Sequence, residues 1–475
     1  MQPSGSPWLS IVRDGLPHVA GRRQKVVIVG AGIAGLVAAH ELARAGHEPF
    51  ILEAQHRVGG RILTLRDCFS PGLYSEAGAM RIPRTHALTL AYAEKFGLAV
   101  HPFTLQNPEA YCHLFGHKHR WREIDADPAL LANEIADEER SLTCNKRWEA
   151  AIRPLAEEVV EAHGDDGWAA IVKRYDGFST REFLQEQHWR EPAIELFGLL
   201  QNQEALMNSC FLELLREEIG RFYVDLVQIE GGMDRLPRAF LPALASRIRF
   251  GARMFAIEAG ECDVTIHYQT VGGRERYTAD HAIVAVPFPV LRHVEVMHPF
   301  SPAKRRAIRQ LRYDASAKIF LQFRRRFWEE DEGIFGGGTV TDLPIRNVFY
   351  PEHGRDTGRG VVLASYTWSE DAQRWGSLPA DERLEQALED LAEIHPQAPY
   401  EYEVGASKMW HDDPYAGGAF ALFEPGQQSL LHEHIVCAEG RVHFAGEHAS
   451  LAHAWIQGAI ESGLRVASEI NARAA

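Results

Sequence analysis

Near the start of the chain, apolar and polar positions follow two rhythms in quick succession. Lys25 to Val29 (KVVIV) is a short β-branched run, which predicts a strand. From Ile33 to Arg44, Leu36, Ala39 and Ala43 return at helical spacing, and Gly46 closes the helix. Glu48 to Leu52 predicts a second strand, so the chain opens with a βαβ unit of about 30 residues. The end repeats this logic: Val442 to Ala445 reads as a strand, Gly446 as a turn, and Ile456 to Asn471 as a helix. Between them, residues 119 to 226 are rich in Glu, Ala, Leu, Arg and Trp and poor in glycine, which predicts a helical insertion. Residues 250 to 285 turn β-like (RIRFGARMFAIE, CDVTIHYQ, HAIVAVP), as do 318 to 324 (KIFLQFR) and 360 to 367 (GVVLASYT). Leu384 to Ile394 predicts a further helix, and residues 1 to 21, with their Pro, Ser and Gly, predict a loose arm.

Composition narrows the class. A chain of 475 residues with 45% apolar and 24% charged positions is neither disordered nor fibrous, and it is long enough for two or three packed lobes. The net charge of −15 argues against nucleic acid and anionic membranes as main partners. Six scattered cysteines (Cys68, Cys112, Cys144, Cys210, Cys262, Cys437) form no CxxC pair and predict a reduced, cytoplasmic chain with buried thiols. The 23 histidines include no HExxH spacing, so no metal site is expected. Val26 to Ala39, after Arg22, Arg23 and Lys25, has the outward look of a secretory leader. It is interrupted by Gly30, Gly32 and Gly35 and lacks a convincing cleavage site. No stretch of about 18 uncharged apolar residues occurs, so no membrane span is expected.

The first strand runs into Gly30-Ala31-Gly32-Ile33-Ala34-Gly35, a GxGxxG loop. Gly30 permits the tight turn, Gly32 lets backbone approach a pyrophosphate, and Gly35 lets the helix pack closely on the strand. The helix N-terminus offers N–H groups and partial positive charge to phosphates. Glu53 ends the second strand, 23 residues after Gly30, where an acid suits a ribose hydroxyl. Arg57-Val58-Gly59-Gly60-Arg61 follows, and its glycines and Arg61 suggest a second approach to the cofactor's phosphates.

The run GAGIAGLVAAHELARAGHEPFILEAQHRVGGRI closely resembles the flavin amine oxidase superfamily, in which GxGxxG, then Glu-Ala, then GGR bind FAD. EAGAMRIP (76–83), IEGGMDRLP (229–237), the lysine of SAKIFLQF, WHDDPYAGGAF (410–420) and FAGEHASLAHAWIQGAIESG (444–463) follow in the family's order. Within the superfamily the sequence is most similar to L-amino acid oxidases.

The resemblance implies an α/β fold (α+β overall). It would comprise a discontinuous Rossmann-type FAD-binding domain (22–68, 229–302, 425–475), a mixed-sheet substrate-binding domain (69–118, 303–424) and a helical domain (119–228). It implies cofactor contacts from Gly30, Gly32, Ile33, Ala34, Gly35, Glu53, Ala54, Gly60, Arg61, Gly78, Ala79, Met80, Arg81, Met254, Trp410, Glu447, Trp455, Ile456, Gln457 and Ala459. Arg81 would also bind the substrate α-carboxylate, for which a planar guanidinium is the best fork. Tyr350 would be a second carboxylate anchor. Lys318, the catalytic candidate, would hold a water against flavin N5. Trp455 would form one wall of an aromatic cage, with Ala454 beside it. Ala419 stands where relatives often carry a larger aliphatic residue, which implies a roomy pocket for bulky apolar or aromatic L-amino acids. An acid in the helical insertion would instead recruit Lys or Arg, and the sequence does not place one. His448 and His453 are candidates for a catalytic histidine.

The implied reaction is oxidative deamination: hydride transfer from an L-amino acid to flavin N5, reoxidation by O2 to give H2O2, and hydrolysis of the imino acid to a 2-oxo acid and ammonia. An amide-forming flavin monooxygenase or a monoamine or polyamine oxidase is the alternative. The superfamily also allows a homodimer.

Overall fold

In the computed structural model, which describes residues 7–19, 21–134, 144–161 and 165–474, five parallel strands form the central sheet. Their order is Ile248–Arg249, Glu48–Leu52, Lys25–Val29, His281–Val284 and Val442–Phe444. The apolar run Val26–Val29 is buried throughout, as a central parallel strand covered on both faces must be. The helix Ile33–Arg44 lies against both the first strand and the final helix Ile456–Arg473, and the closeness of each contact is written in glycine. A Cβ on Gly35 would stand 2.1 Å from the Gly30 carbonyl oxygen, and one on Gly463 would stand 2.5 Å from that of Ala34.

A second, seven-stranded sheet runs Tyr402–Met409, Ser316–Phe323, Gly360–Trp368, Asn347–Phe349, Gly338–Thr341, Tyr111–Leu114 and His117–Arg120. It is antiparallel except where Gly338–Thr341 meets Tyr111–Leu114, so it is a mixed sheet. A smaller sheet joins Gly273–Ala279, Val264–Thr270, Arg253–Ala259 and Glu295–Val296 beside the central one. The expected helical stretch holds helices Trp121–Ala126, Cys144–Glu161, Asp165–Tyr175, Thr180–Glu186, Glu191–Leu200 and Phe211–Ile219. Their shared core is aromatic: Trp148, Phe183, Phe197 and Phe211 are all buried, with Phe183 stacked on Phe211 at 3.8 Å.

Two expectations need correction. The start of the chain is not a loose arm throughout, because Pro7–Asp14 is a helix with Val12 buried. Its apolar side packs on the helix Ala87–Lys95, a tertiary contact that local Pro and Gly content does not reveal. The thiols are not uniformly buried: Cys112, Cys144 and Cys210 are, whereas Cys68, Cys262 and Cys437 are exposed. Leu88 and Tyr92 of the helix Ala87–Lys95 join the core under the central sheet. Among the described residues, no helix is long and apolar enough to cross a membrane.

Candidate active site

One long cavity runs from the edge of the central sheet to the seven-stranded sheet and the helical lobe. At its first end, the strand Lys25–Val29 delivers the GxGxxG loop. Gly30, Gly32, Ile33 and Ala34 line the cavity, and Gly35 does not, because it is consumed in packing helix on strand. The helix N-terminus at Gly32 carries no side-chain cap, which leaves amide donors for a ligand. Glu53 accepts hydrogen bonds from the backbone amides of Ala31 (2.7 Å) and Gln55 (2.8 Å). Burial pushes its carboxyl upward, and those amides resist the shift. Ala54, Gly60, Arg61 and Met254 complete this end.

In the middle, charge is paired. Arg61 donates to Glu447 (2.8 Å) and to the Ala419 carbonyl (2.9 Å). Glu447 also accepts from the amides of Ala421 and Ala454. Gly78, Ala79 and Met80 line the wall, and a Cβ on Gly78 would fall 1.8 Å from the Arg61 carbonyl oxygen. Trp410 donates its indole N–H to the Ala77 carbonyl (2.7 Å), and Ile456 and Ala459 of the last helix close the floor.

The far end holds the chemistry-bearing side chains. Lys318 projects from the fully buried strand Ser316–Phe323 and donates to the carbonyls of Glu76 (2.9 Å) and Gly78 (2.8 Å). Burial pushes its amine down to about 7, the Arg81 charge adds to the push, and Glu76 opposes it. The Arg81 guanidinium lies over the rings of Tyr223 (5.5 Å), Phe103 (5.9 Å) and Phe349 (5.9 Å). Its one hydrogen bond to a side chain is to the Met80 sulfur, and it pairs with no acid among the described residues. Glu76 is no such partner, since it accepts from Thr64 and from the Met233 amide. Trp455 packs edge-on to Phe222 and Tyr223 and donates to Glu217 (2.7 Å). Ala419 and Ala454 are at hand, and Ala454 adopts a left-handed backbone (φ 64°) just before Trp455.

The family's sequence model for flavin-containing amine oxidoreductases matches residues 33–471. The chain belongs to that family. It is 42% identical over 474 residues to YobN of Bacillus subtilis, whose name marks it as a candidate L-amino-acid oxidase, with 98% of each chain covered. It is 36% identical to an L-amino-acid oxidase of the fish Siganus canaliculatus and 34% identical to one of the viper Vipera ammodytes ammodytes. Each comparison covers 98% of this chain, and 88% and 96% of those proteins. Solved structures of putrescine oxidase (21% identity, TM-score 0.75) and of cyclohexylamine oxidase from Brevibacterium oxydans (18%, TM-score 0.75) share the fold over 95% of this chain. They cover 100% and 99% of those two chains.

FAD is the cofactor of this family member, and the residues fit it. A Cβ on Gly32 would meet nothing within 4 Å and so would stand in the open cavity, where pyrophosphate needs bare backbone. Two uncapped helix N-termini, at Gly32 and Trp455, open on the same space.

Besides Gly35, the candidates Tyr350 and Gln457 fall outside the cavity. The Tyr350 hydroxyl is buried in the core of the seven-stranded sheet, bonded to Thr339 (2.8 Å) and to His395 (2.7 Å). It is a satisfied core tyrosine, and it does not reach Arg81. The Gln457 side chain points the other way from the cofactor space: it accepts from the amides of Leu88 and Thr89 and from the Thr89 hydroxyl, capping the helix Ala87–Lys95. Of the two histidines, His448 is wholly buried against Phe288 and away from the cavity. His453 lines the cavity and bonds Glu213 (2.8 Å). Burial works against its protonation, but the Glu213 carboxylate outweighs that and holds its pKa above the usual value.

Sequence reasoning missed Tyr366, Trp368, Tyr223, Phe222 and Glu217, all of which line the far end. Tyr366 follows from strand pairing: it sits opposite Lys318 across the sheet, with the Lys318 amine 4.4 Å from its ring centre. Alternation along GVVLASYTW was the available signal, since Tyr366 and Trp368 share one strand face.

Proposed function

We propose that this chain is an FAD-dependent L-amino acid oxidase that converts L-amino acids to 2-oxo acids, ammonia and H2O2. The observation that carries the reading is Arg81, a guanidinium in an aromatic enclosure that pairs with no acid among the described residues. An unpaired cation facing a ligand cavity is costly unless a ligand supplies the anion, and an α-carboxylate does so with two parallel hydrogen bonds. Simple amine substrates have no such group, so an amine oxidase would gain nothing from this arginine.

Arg81 binds the carboxylate and Tyr366 takes the anchoring role beside it. Fixing the carboxylate at one edge sets the direction of the Cα–H bond, which is where orientation helps most. Trp455, Tyr223 and Phe222 form the wall that keeps bulk water from the reacting carbon. Bound FAD supplies the two-electron acceptor for that bond and passes the electrons to O2. Lys318, held on two backbone carbonyls at the junction of the cavity's two ends, positions a water or proton there. The substrate amine is neutral when hydride leaves its Cα, and water then hydrolyses the resulting imino acid to the 2-oxo acid and ammonia.

The test is anaerobic. The yellow protein is mixed with L-phenylalanine, L-lysine, their D-isomers, phenylethylamine and cadaverine, and flavin bleaching is followed. Bleaching by L-amino acids and not by the amines is the expected result. Bleaching by the amines alone would remove the carboxylate role of Arg81 and the substrate class with it. Admitting O2 and assaying H2O2 against amide separates oxidase from monooxygenase.

A further inference from the structure

The helix Phe211–Ile219 presents Glu213, Arg216 and Glu217 to the substrate end of the cavity. Two of these three charges are spoken for. Glu213 bonds His453 (2.8 Å) and accepts from the Phe423 amide (2.9 Å). Arg216 lies 3.7 Å from Glu213, donates to Gln428 (2.7 Å) and sits over the Trp168 ring. Glu217 is different. One carboxylate oxygen accepts the Trp455 indole N–H (2.7 Å) and the other the Tyr223 hydroxyl (3.1 Å), both neutral donors. No cation forms an ion pair with it among the described residues. A carboxylate enclosed this way, in a cavity, is the mirror image of Arg81: a charge whose partner is missing.

Tyr223 links the two, with its ring against Arg81 and its hydroxyl on Glu217. Arg81 and Glu217 therefore flank one aromatic ring instead of neutralising each other. The same cavity is lined by the apolar side chains of Leu206, Leu214, Phe222 and Trp455. Such a lining suits an aliphatic stem, and a charged tip on that stem would end at the acid.

We infer that Glu217 selects L-amino acids whose side chain carries a cation, the lysine, ornithine and arginine class. This rests on the oxidase reading above and replaces the apolar preference that Ala419 alone suggests. Ala419 still contributes room, and the acid decides what fills it.

The protonation of Glu217 supports the same assignment. Burial pushes its carboxyl up to about 7; the bonds from Trp455 and Tyr223 resist, and the neighbouring Glu213 and Glu218 add to the rise. The other groups that feel it are Arg216 on its own helix, Tyr366 across the cavity, and Tyr223 beside Arg81. A pKa raised in this way means the acid is neutral below about 7 and charged above it. Attraction for a cationic side chain is therefore present above that pH and lost as pH falls through it.

The experiment compares L-lysine with L-norleucine, its near-isostere without the ammonium, in steady-state turnover and anaerobic flavin reduction. The wild-type kcat/KM for L-lysine is expected to exceed that for L-norleucine about tenfold or more. In Glu217→Gln that ratio is expected to fall about 10- to 100-fold, the span of one charge-assisted hydrogen bond. Glu217→Asp should keep part of it. The wild-type ratio should also fall below about pH 7, and the Gln variant should show no such fall. Flavin absorbance and melting temperature show whether each variant is folded. Should the Gln variant not fold, the wild-type ratio and its pH profile still decide. A wild-type ratio at or below one, or a ratio untouched in a folded Gln variant, overturns the inference and leaves the oxidase reading standing. Bleaching by cadaverine with none by any L-amino acid overturns both.

Discussion

The two ends of the cavity are built on opposite principles. The dinucleotide end is made of backbone: glycines without side chains, uncapped helix N-termini, and one acid held by amides. Its cation Arg61 is already paired inside the protein, with Glu447. The substrate end is made of side chains from several distant segments, and two of its charges, Arg81 and Glu217, form no ion pair among the described residues. A backbone site tolerates one ligand shape and is spoiled by any added Cβ. A side-chain site announces its ligand by the charges it leaves open.

The comparison breaks most visibly at the backbone end. Gly35→Val places side-chain atoms where 2.1 Å separates even a bare Cβ from the Gly30 carbonyl, and the helix must move off the strand. We expect a destabilisation above about 3 kcal/mol and loss of bound flavin. Flavin absorbance per mole of protein and a thermal melt measure both; a yellow variant with wild-type melting would mean the helix has room that the structure denies it.

At the substrate end, Arg81→Ala removes the anchor without touching that packing. Its cost should appear in kcat/KM, about 2–5 kcal/mol, because the substrate carboxylate then enters the cavity unpaired. Flavin content should hold. Unchanged kcat/KM on L-amino acids would sink the anchor. Tyr366→Phe is the finer cut: one hydrogen bond to a charged carboxylate, about 1.5–3 kcal/mol in kcat/KM. If Tyr366→Phe turns over L-amino acids like wild type, Arg81 works without a tyrosine partner.

The difference in construction also explains what could be read in the chain. The GxGxxG loop, Glu53, the flanking strands and the last helix are local: each lies within a few dozen residues, and periodicity plus glycine spacing reveals them. Arg81, Lys318 and Trp455 were reachable through motif resemblance, and the cavity brings them together. Tyr366 and Tyr350 could not be told apart locally. Both are tyrosines in β-rich sequence, and only the sheet register, which pairs Lys318 with Tyr366, decides which one faces the cavity. Glu217 was invisible for a related reason. EE at 217–218 on an amphipathic helix reads as a solvated face until another lobe covers it.

Gln457 tests the boundary between the two ends. Its side chain satisfies two amides at the start of the helix Ala87–Lys95, where no other side chain caps the turn. Gln457→Leu should cost about 1–2 kcal/mol of stability, as loss of a helix N-cap does. Flavin content should stay at wild-type level, and a chemical denaturation curve beside an absorbance spectrum separates the two readings. Colourless but equally stable protein would return Gln457 to the cofactor.

The smallest effect on turnover belongs to Tyr350, and it is the sharpest control on the substrate end. Its hydroxyl spans Thr339 and His395, deep in a core shared with Phe327 and Trp328, and burial pushes its pKa far above the ordinary range. Tyr350→Phe deletes the hydroxyl and leaves Thr339 and His395 each short of one partner. His395 also pairs with Glu332 (2.8 Å), so only part of its bonding is lost. The expected cost is about 1–3 kcal/mol of stability, the net worth of two such hydrogen bonds, with kcat/KM within about twofold of wild type. A large drop in kcat/KM at unchanged stability would mean that the hydroxyl reaches the substrate in the working enzyme. It would also mean that the two tyrosines divide the carboxylate between them, which the present geometry does not allow.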